Sequence, residues 1–427
     1  CKVSMKRTLK FLETSYKLGQ KLGLETMKAL LELLDNPQDK VKIIHVAGTN
    51  GKGSTCAMLT SILTEAGFKT GFYSSPHLIS YTERMRIGYI PISEEAFTEV
   101  IDEVKKASEK LTALKRPHPT EFEILTAAGY LYFAREKCDF ALMEVGLGGR
   151  LDATNALNNP FLTIITPVGF DHEEFLGHTL TDIAHEKAGI MKSNHPVVIS
   201  LQDKEAKDAL VSDAKKKELK TYLVDDRALK INGPSSIGLA FSYEGRDYEV
   251  PFRANYQVRN ALTVLEAVKA LRDLGISLDD DVIKEGLAKT QWSGRFEVLQ
   301  KDPLIIIDGA HNPQGVKAFT EALEGLGNRN LVGLLAVKKG KDYSHMIEAI
   351  EGFFREVVIT RPHWIEGVEP EELAKGFKKT ETHVKETIEE ALDYARSIQG
   401  NDPLVCFGSL YLIGEVKRVI EDEHHSS

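Results

Sequence analysis

From Val41 onward, short apolar runs alternate with longer amphipathic ones, and this alternation restricts the fold more than any other feature. "VKIIHVA", "KTGFYS", "DFALMEVG", "FLTIITPV" and "PVVIS" have the length and apolar content of strands. Between them, "STCAMLTSILTEAG", "SEEAFTEVIDEVKKASEKL", "TEFEILTAAGYLYFAREK" and "LTDIAHEKAGIMK" carry helical spacing, with Gly67 closing the first and Ser93 opening the second. Apolar strands separated by helices belong to a mostly parallel sheet covered on both faces. From residue 221 to 253, "TYLVDD", "LAFSYEG" and "RDYEVPF" alternate around turns, which predicts a small antiparallel insert. Helical spacing returns in "QVRNALTVLEAVKALRDLG" and "LDDDVIKEGLAKT". A second βα series then runs from "RFEVLQKDPLIIIDGAHNP" through "NLVGLLAV", "REVVIT" and "PLVCFGS". At 427 residues the chain exceeds one ordinary core, and we expect two α/β domains, 1–295 and 296–427.

The first apolar run ends in "HVAGTNGKGST", residues 45–55. This is a phosphate-binding loop two residues shorter than the common GxxxxGK[ST] form, with an extra glycine after the lysine. Glycines let backbone N–H groups turn toward an anion, and the following helix adds its positive end. Thr49, Asn50, Gly51, Lys52, Gly53 and Ser54 are therefore expected around the phosphates of a nucleotide. Lys52 would meet the β- and γ-phosphates and Ser54 a magnesium ion.

Such a loop needs a metal carboxylate at the end of a neighbouring strand, and Glu144 ends "DFALMEVG". An acid in an apolar strand is costly unless it is paired or metal-bound. Lys187 is equally out of place. In "LTDIAHEKAGIM", Ile183, Ala184, Ala188, Ile190 and Met191 define an apolar face, and Lys187 falls on it. Either its ammonium snorkels to solvent, or burial lowers its pKa and leaves a neutral amine able to take up carbon dioxide as a carbamate.

Composition excludes other classes. The net charge of −9 is spread along the chain, which argues against nucleic acid as a partner. No run approaches the ~18 apolar residues of a membrane span. The opening stretch "CKVSMKRTLKFLETSYKLG" is basic but has no apolar signal core. Cys1, Cys56, Cys138 and Cys406 are far apart, which fits a reducing cytoplasm rather than a zinc site.

"GTNGKGS", "SSPHLISYTERMRI", "EVGLGGRLDATN", Asp171-His172, "HEKAGIMK", "RNA", "GRFE", "DGAHNP" and "GSLYL" follow one another in a familiar order. From about Gly19 to Gly414 the chain resembles the folylpolyglutamate synthase / dihydrofolate synthase family of the Mur ligase superfamily. The resemblance implies an N-terminal P-loop ATPase domain of Mur-ligase type and a C-terminal Rossmann-like α/β domain. It implies an ATP-dependent carbon–nitrogen ligase that adds L-glutamate to the γ-carboxylate of a folate, through an acyl phosphate. "GGRLDATN" accompanies use of dihydropteroate in bifunctional members.

Carried onto this sequence, the resemblance puts two magnesium ions on Ser75, Glu144 and His172, with carbamoylated Lys187 as a ligand of the second. It puts Asn260 and Arg295 on the nucleotide, with Asp308 and the catalytic His311 reaching it from the second domain on closure. Pterin contacts fall at Leu22 to Glu25, at Thr120 to Glu123 and at Arg150 to Asp152, with Phe122 as a stacking ring. Thr26 stands where relatives often carry arginine. A monomer is expected. Three alternatives stay open: a ligase with one of the two activities, a nucleotide switch without ligase activity, and a cell-wall amino-acid ligase. The last would need a nucleotide-sugar domain, for which the stretch before the loop is too short.

Overall fold

The computed structural model describes every residue except 1, 18, 20–22, 328–329, 363–365 and 427. The chain divides into two compact units, Cys1–Leu229 with Arg259–Gln291, and Lys230–Val258 with Trp292–Ser427.

The first unit holds β1 (Lys42–Ala47), β2 (Thr70–Tyr73), β3 (Met85–Ile87), β4 (Ile90–Pro91), β5 (Phe140–Glu144), β6 (Leu162–Ile165), β7 (Val197–Ile199) and β8 (Thr221–Leu223). Their order in the sheet is β4-β3-β2-β5-β1-β6-β7-β8. The pairs from β2 to β8 are parallel, and β3 and β4 add an antiparallel edge. β2, β5, β6 and β7 are buried at every residue, as strands covered on both faces must be. The helix Lys52–Glu65 is buried from Gly53 to Leu63, which explains why its sequence lacks a polar face. β1 lies between β5 and β6, with Val46 opposite Glu144 and Ala47 opposite Ile165. Three strand ends therefore converge at one carboxyl edge, which is where open α/β sheets bind ligands.

"TYLVDD" departs from expectation. It supplies β8, parallel to β7, and not the first strand of the insert. The helix Lys204–Lys216 between them is the crossover that a parallel pair requires.

The second unit carries the antiparallel insert β9 (Lys230–Pro234), β10 (Leu239–Tyr243) and β11 (Arg246–Val250), in the order β11-β10-β9. Its main sheet comprises β12 (Glu297–Lys301), β13 (Leu304–Asp308), β14 (Leu331–Leu335), β15 (Phe354–Ile359), β16 (Glu381–Val384) and β17 (Leu404–Phe407). The order is β12-β13-β17-β14-β15-β16, parallel except for β12. Its apolar core packs Ile306, Phe319, Leu335, Val357 and Phe407 together. Among the described residues, no helix is long and apolar enough to cross a membrane.

Candidate active site

β1 passes into the helix Lys52–Glu65 through a loop that two positions reserve for glycine. Gly48 has φ +152°, and a Cβ there would lie 1.7 Å from Thr166 Oγ1. Gly51 has φ +82°, and its Cβ would lie 2.5 Å from Asn260 Oδ1. The loop is stapled to the exit of β6. The amides of Thr49 and Asn50 donate to Pro167 O at 2.9 and 3.3 Å. The Thr49 hydroxyl donates to Gly169 O and accepts from Gly169 N, each at 2.9 Å. Thr55 is the first residue whose amide closes a helical bond, to Gly51 O at 2.9 Å. The amides of Lys52, Gly53 and Ser54 therefore lie in the first turn, where a helix presents N–H groups to an anion.

Two lysines meet at this loop. Lys52 Nζ donates to Gly48 O at 2.9 Å and to Thr49 O at 3.2 Å. Lys187 Nζ, from the helix Leu180–Ala188, donates to the same Gly48 O at 3.0 Å. Lys187 is only 3% exposed, so snorkelling to solvent does not occur. Burial, reinforced by the charge of Lys52, lowers its pKa to about 7, against the pull of Asp171 and Asp152.

Glu144 ends β5 at 6% exposure, and the amide of Ser75 donates to its Oε2 at 3.4 Å. Two of the expected metal ligands are thus in contact. His172 has a left-handed backbone at φ +52°, and its amide donates to Asp171 Oδ1 at 3.0 Å.

The expected pterin contacts have local duties. Thr120 caps the helix Glu121–Arg135: its hydroxyl accepts from Glu123 N at 3.2 Å, and Glu123 Oε2 accepts from Thr120 N at 2.8 Å. The Phe122 ring lies over Gly146, where a Cβ would approach its Cζ to 2.5 Å. Asp152 is buried and accepts from the amides of Gly146, Leu147 and Thr154 and from the Thr154 hydroxyl. Burial raises its pKa, and those bonds oppose the rise. Arg150 is exposed and pairs with Glu186 at 2.9 Å. Leu22 lies outside the described residues. Its neighbours Gly23, Glu25 and Thr26 line a cavity of about 240 Å³ together with Arg116 and Glu123.

In the second unit, Asp308 ends β13 at 3% exposure. It accepts from the amides of Phe296 and Ala310, each at 2.8 Å. Burial raises its pKa, and Arg295 opposes the rise. His311 Nδ1 lies 2.7 Å from Gly309 O. Asn260 belongs to the first unit, beside Gly51. A separate group, Glu356, Glu381 and His383, lies within reach of one ion on β15 and β16, but Arg355 already pairs with Glu356.

Sequence reading overlooked several contributors. Asp171 acts on Lys187, yet its short "DH" context singled out only the histidine. Gln202 braces the exit of β6, donating to Thr166 O at 2.9 Å and accepting from Val168 N at 2.8 Å. Its only signal was a position just after "PVVIS". His77, in the quoted "SSPH", accepts from Arg84 Nε at 2.9 Å.

The Mur ligase middle domain matches residues 46–268, and the Mur ligase glutamate ligase domain matches residues 294–410. The chain is 34% identical over 412 residues to the dihydrofolate synthase/folylpolyglutamate synthase of Bacillus subtilis, across 94% of this chain and 96% of that one. It is 34% identical over 401 residues to the folylpolyglutamate synthase of Lacticaseibacillus casei, across 92% of each. Mycobacterium tuberculosis folylpolyglutamate synthase complexed with ADP and AMPPCP matches with a TM-score of 0.90 at 29% identity, over 98% of both chains. The shortened glycine loop, the buried lysine and the two-part α/β architecture thus have a common explanation: the chain belongs to the folylpolyglutamate synthase / dihydrofolate synthase branch of the Mur ligase family of ATP-dependent ligases.

Proposed function

We propose that this enzyme joins L-glutamate to the γ-carboxylate of a folate and also to dihydropteroate, releasing ADP and phosphate. The observation that carries the reading is the meeting of Lys52 and Lys187 on the carbonyl of Gly48, at the mouth of the loop. A carboxylate does not react with an amine unaided, because oxide would have to leave. Attack of a substrate carboxylate oxygen on the γ-phosphorus of ATP expels ADP and gives an acyl phosphate. The glutamate amine then attacks the carbonyl carbon, and phosphate departs. The first step brings two anions together, so the site needs fixed positive charge, which Lys52 supplies.

Glu144 and Ser75, with His172 and a carbamoylated Lys187, would hold two magnesium ions. A buried carboxylate at a strand end suits that hard cation. When bound, the ions neutralise and align phosphate oxygens. The carbamate forms when the Lys187 amine attacks carbon dioxide and releases a proton, and a pKa of about 7 keeps enough of that amine neutral. Thr49 to Ser54 and Asn260 are assigned to the nucleotide in an ATP-binding domain of residues 1–295. Arg295, Asp308 and His311 are assigned to it as well, the last two from residues 296–427. The cavity beside Glu123, Phe122 next to it in sequence, and the Arg150–Asp152 turn are assigned to the pterin. A cytoplasmic monomer fits these substrates.

The test is phosphate release from protein, ATP, magnesium and glutamate, with either tetrahydrofolate or dihydropteroate. Release that requires glutamate and occurs with each of the two pteroyl compounds is expected. Release with one compound alone reduces the reading to a single activity. Release without any acceptor overturns it in favour of a nucleotide switch.

A further inference from the structure

His45 lies on β1, wholly buried, in a strand that otherwise reads as plain apolar core. Its Nε2 is 2.8 Å from Thr154 Oγ1. The Thr154 hydroxyl donates to Asp152 Oδ2 at 2.5 Å. Among the described residues, the other hydrogen bonds of that carboxylate are all from donors: Gly146 N at 3.2 Å, Leu147 N at 2.9 Å and Thr154 N at 3.1 Å. Four hydrogen bonds into one acid favour its carboxylate form, against the burial that raises its pKa. The single Thr154 proton is therefore committed to Asp152, and Thr154 Oγ1 accepts from His45. The imidazole must carry its proton on Nε2. Burial keeps it neutral, with its pKa near 3. Its Nδ1 finds no hydrogen-bond partner among the described residues.

This line of bonds runs from the strand that leads into the phosphate loop to the turn that follows Glu144. The same turn abuts the Lys187 helix. The amide of Arg150 donates to Glu186 O at 2.8 Å, and a Cβ on Gly149 would lie 3.0 Å from Lys187 Cα. Tyr130 OH also donates to Thr154 O at 2.6 Å, so Thr154 is gripped from three sides.

We propose that His45 is a positioning residue: acting through Thr154 and Asp152, it fixes the turn Val145–Asn155 against the phosphate loop and so sets the grip on the pteroyl substrate. The kinetic part of this inference rests on the function proposed above, and the structural part does not. Neither His45 nor Thr154 needs to touch substrate.

The experiment compares H45L, H45Q, T154V and H45L/T154V with the parent. Glutamine can return an N–H donor near the position of Nε2, and leucine cannot. H45L is expected to raise KM for the pteroyl substrate about tenfold, the scale of losing a supporting contact, and to leave KM for ATP nearly unchanged. H45Q is expected to restore most of the loss. The double variant is expected to be no worse than either single one, because all three cut the same line. Amide exchange at Gly146 and Leu147 is expected to accelerate in H45L while β6 and β7 stay protected. Additive effects, equal losses for ATP and pteroyl substrate, or unchanged exchange at those two amides would each overturn the proposal. If H45L does not fold, H45Q and T154V decide it by the same readouts. If the parent ligates no pteroyl compound, the functional reading falls, and the exchange experiment still judges the role of His45.

Discussion

Replacing Lys187 by methionine should move stability and activity in opposite directions. The side chain is buried, and its pKa falls from 10.5 to about 7. At about 1.4 kcal/mol per unit, burying the charged form opposes folding by at most about 5 kcal/mol. The hydrogen bond to Gly48 O returns about 1 kcal/mol, and Lys52 still serves that carbonyl in the variant. At pH 7 the variant should therefore be more stable than the parent by at most about 4 kcal/mol. Below pH 7 both folded and unfolded parent chains hold the proton, and the gap keeps its full size. Between pH 7 and 10.5 the unfolded chain holds a proton that the folded chain has lost, so the parent gains stability with rising pH and the gap closes. Urea midpoints of both proteins, in buffer freed of carbon dioxide from pH 6 to 10, would measure this. Tyrosines and cysteines common to both cancel in the difference. Adding bicarbonate at pH 8 should add the mass of carbon dioxide to the parent alone, and acid should remove it. Ligase activity of the variant should fall about 100-fold or more, on the scale of a lost metal ligand or its support. A gap that does not change with pH would refute the argument, because Lys187 would then titrate as an ordinary surface lysine.

Other perturbations test separate parts of the site. Gly48→Ala places a Cβ 1.7 Å from Thr166 Oγ1, so the loop must move; calorimetry should show nucleotide affinity reduced about 100-fold, or near 2.7 kcal/mol. Glu144→Gln should shift the magnesium dependence of phosphate release about 10–100-fold upward, and an unchanged magnesium curve would remove Glu144 from the metal site. Asp308→Asn cannot accept from both Phe296 N and Ala310 N, because one oxygen becomes an amide nitrogen. The variant should lose about 1–3 kcal/mol, read as a lower thermal midpoint.

What the sequence disclosed depended on the distance over which each feature is decided. Lys187 was legible because helical period is local: Ile183 and Ile190 already define the face on which it lies. The loop was legible because glycines, lysine and helix start fall within one short segment. β8 was misplaced because its few residues say nothing of strand direction, which the preceding crossover helix decides. β9 and β16 gave no buried alternation to read. At Thr120 the T-x-x-E spacing of a capping box was present in the letters, and the family resemblance drew attention to substrate instead. The bond from His45 to Thr154 spans 109 positions, and Gly48 is restricted by Thr166, just past β6; neither has any local trace.

The two lysines at Gly48 show how one fold obtains different chemistry from identical side chains. Both donate to the same carbonyl, and two ammonium groups that close repel each other. Lys52 sits partly exposed at a helix start, where water and incoming phosphates can balance its charge. Lys187 is sealed against the turn that follows Glu144, where burial and the neighbouring Lys52 drive its proton away. Depth therefore separates the two: in the proposed function the outer lysine serves phosphate, and the inner one offers its amine to carbon dioxide. A negative carbamate on Lys187 would relieve the repulsion it began with. On the proposed function, carbamoylation of Lys187 would complete the site electrostatically.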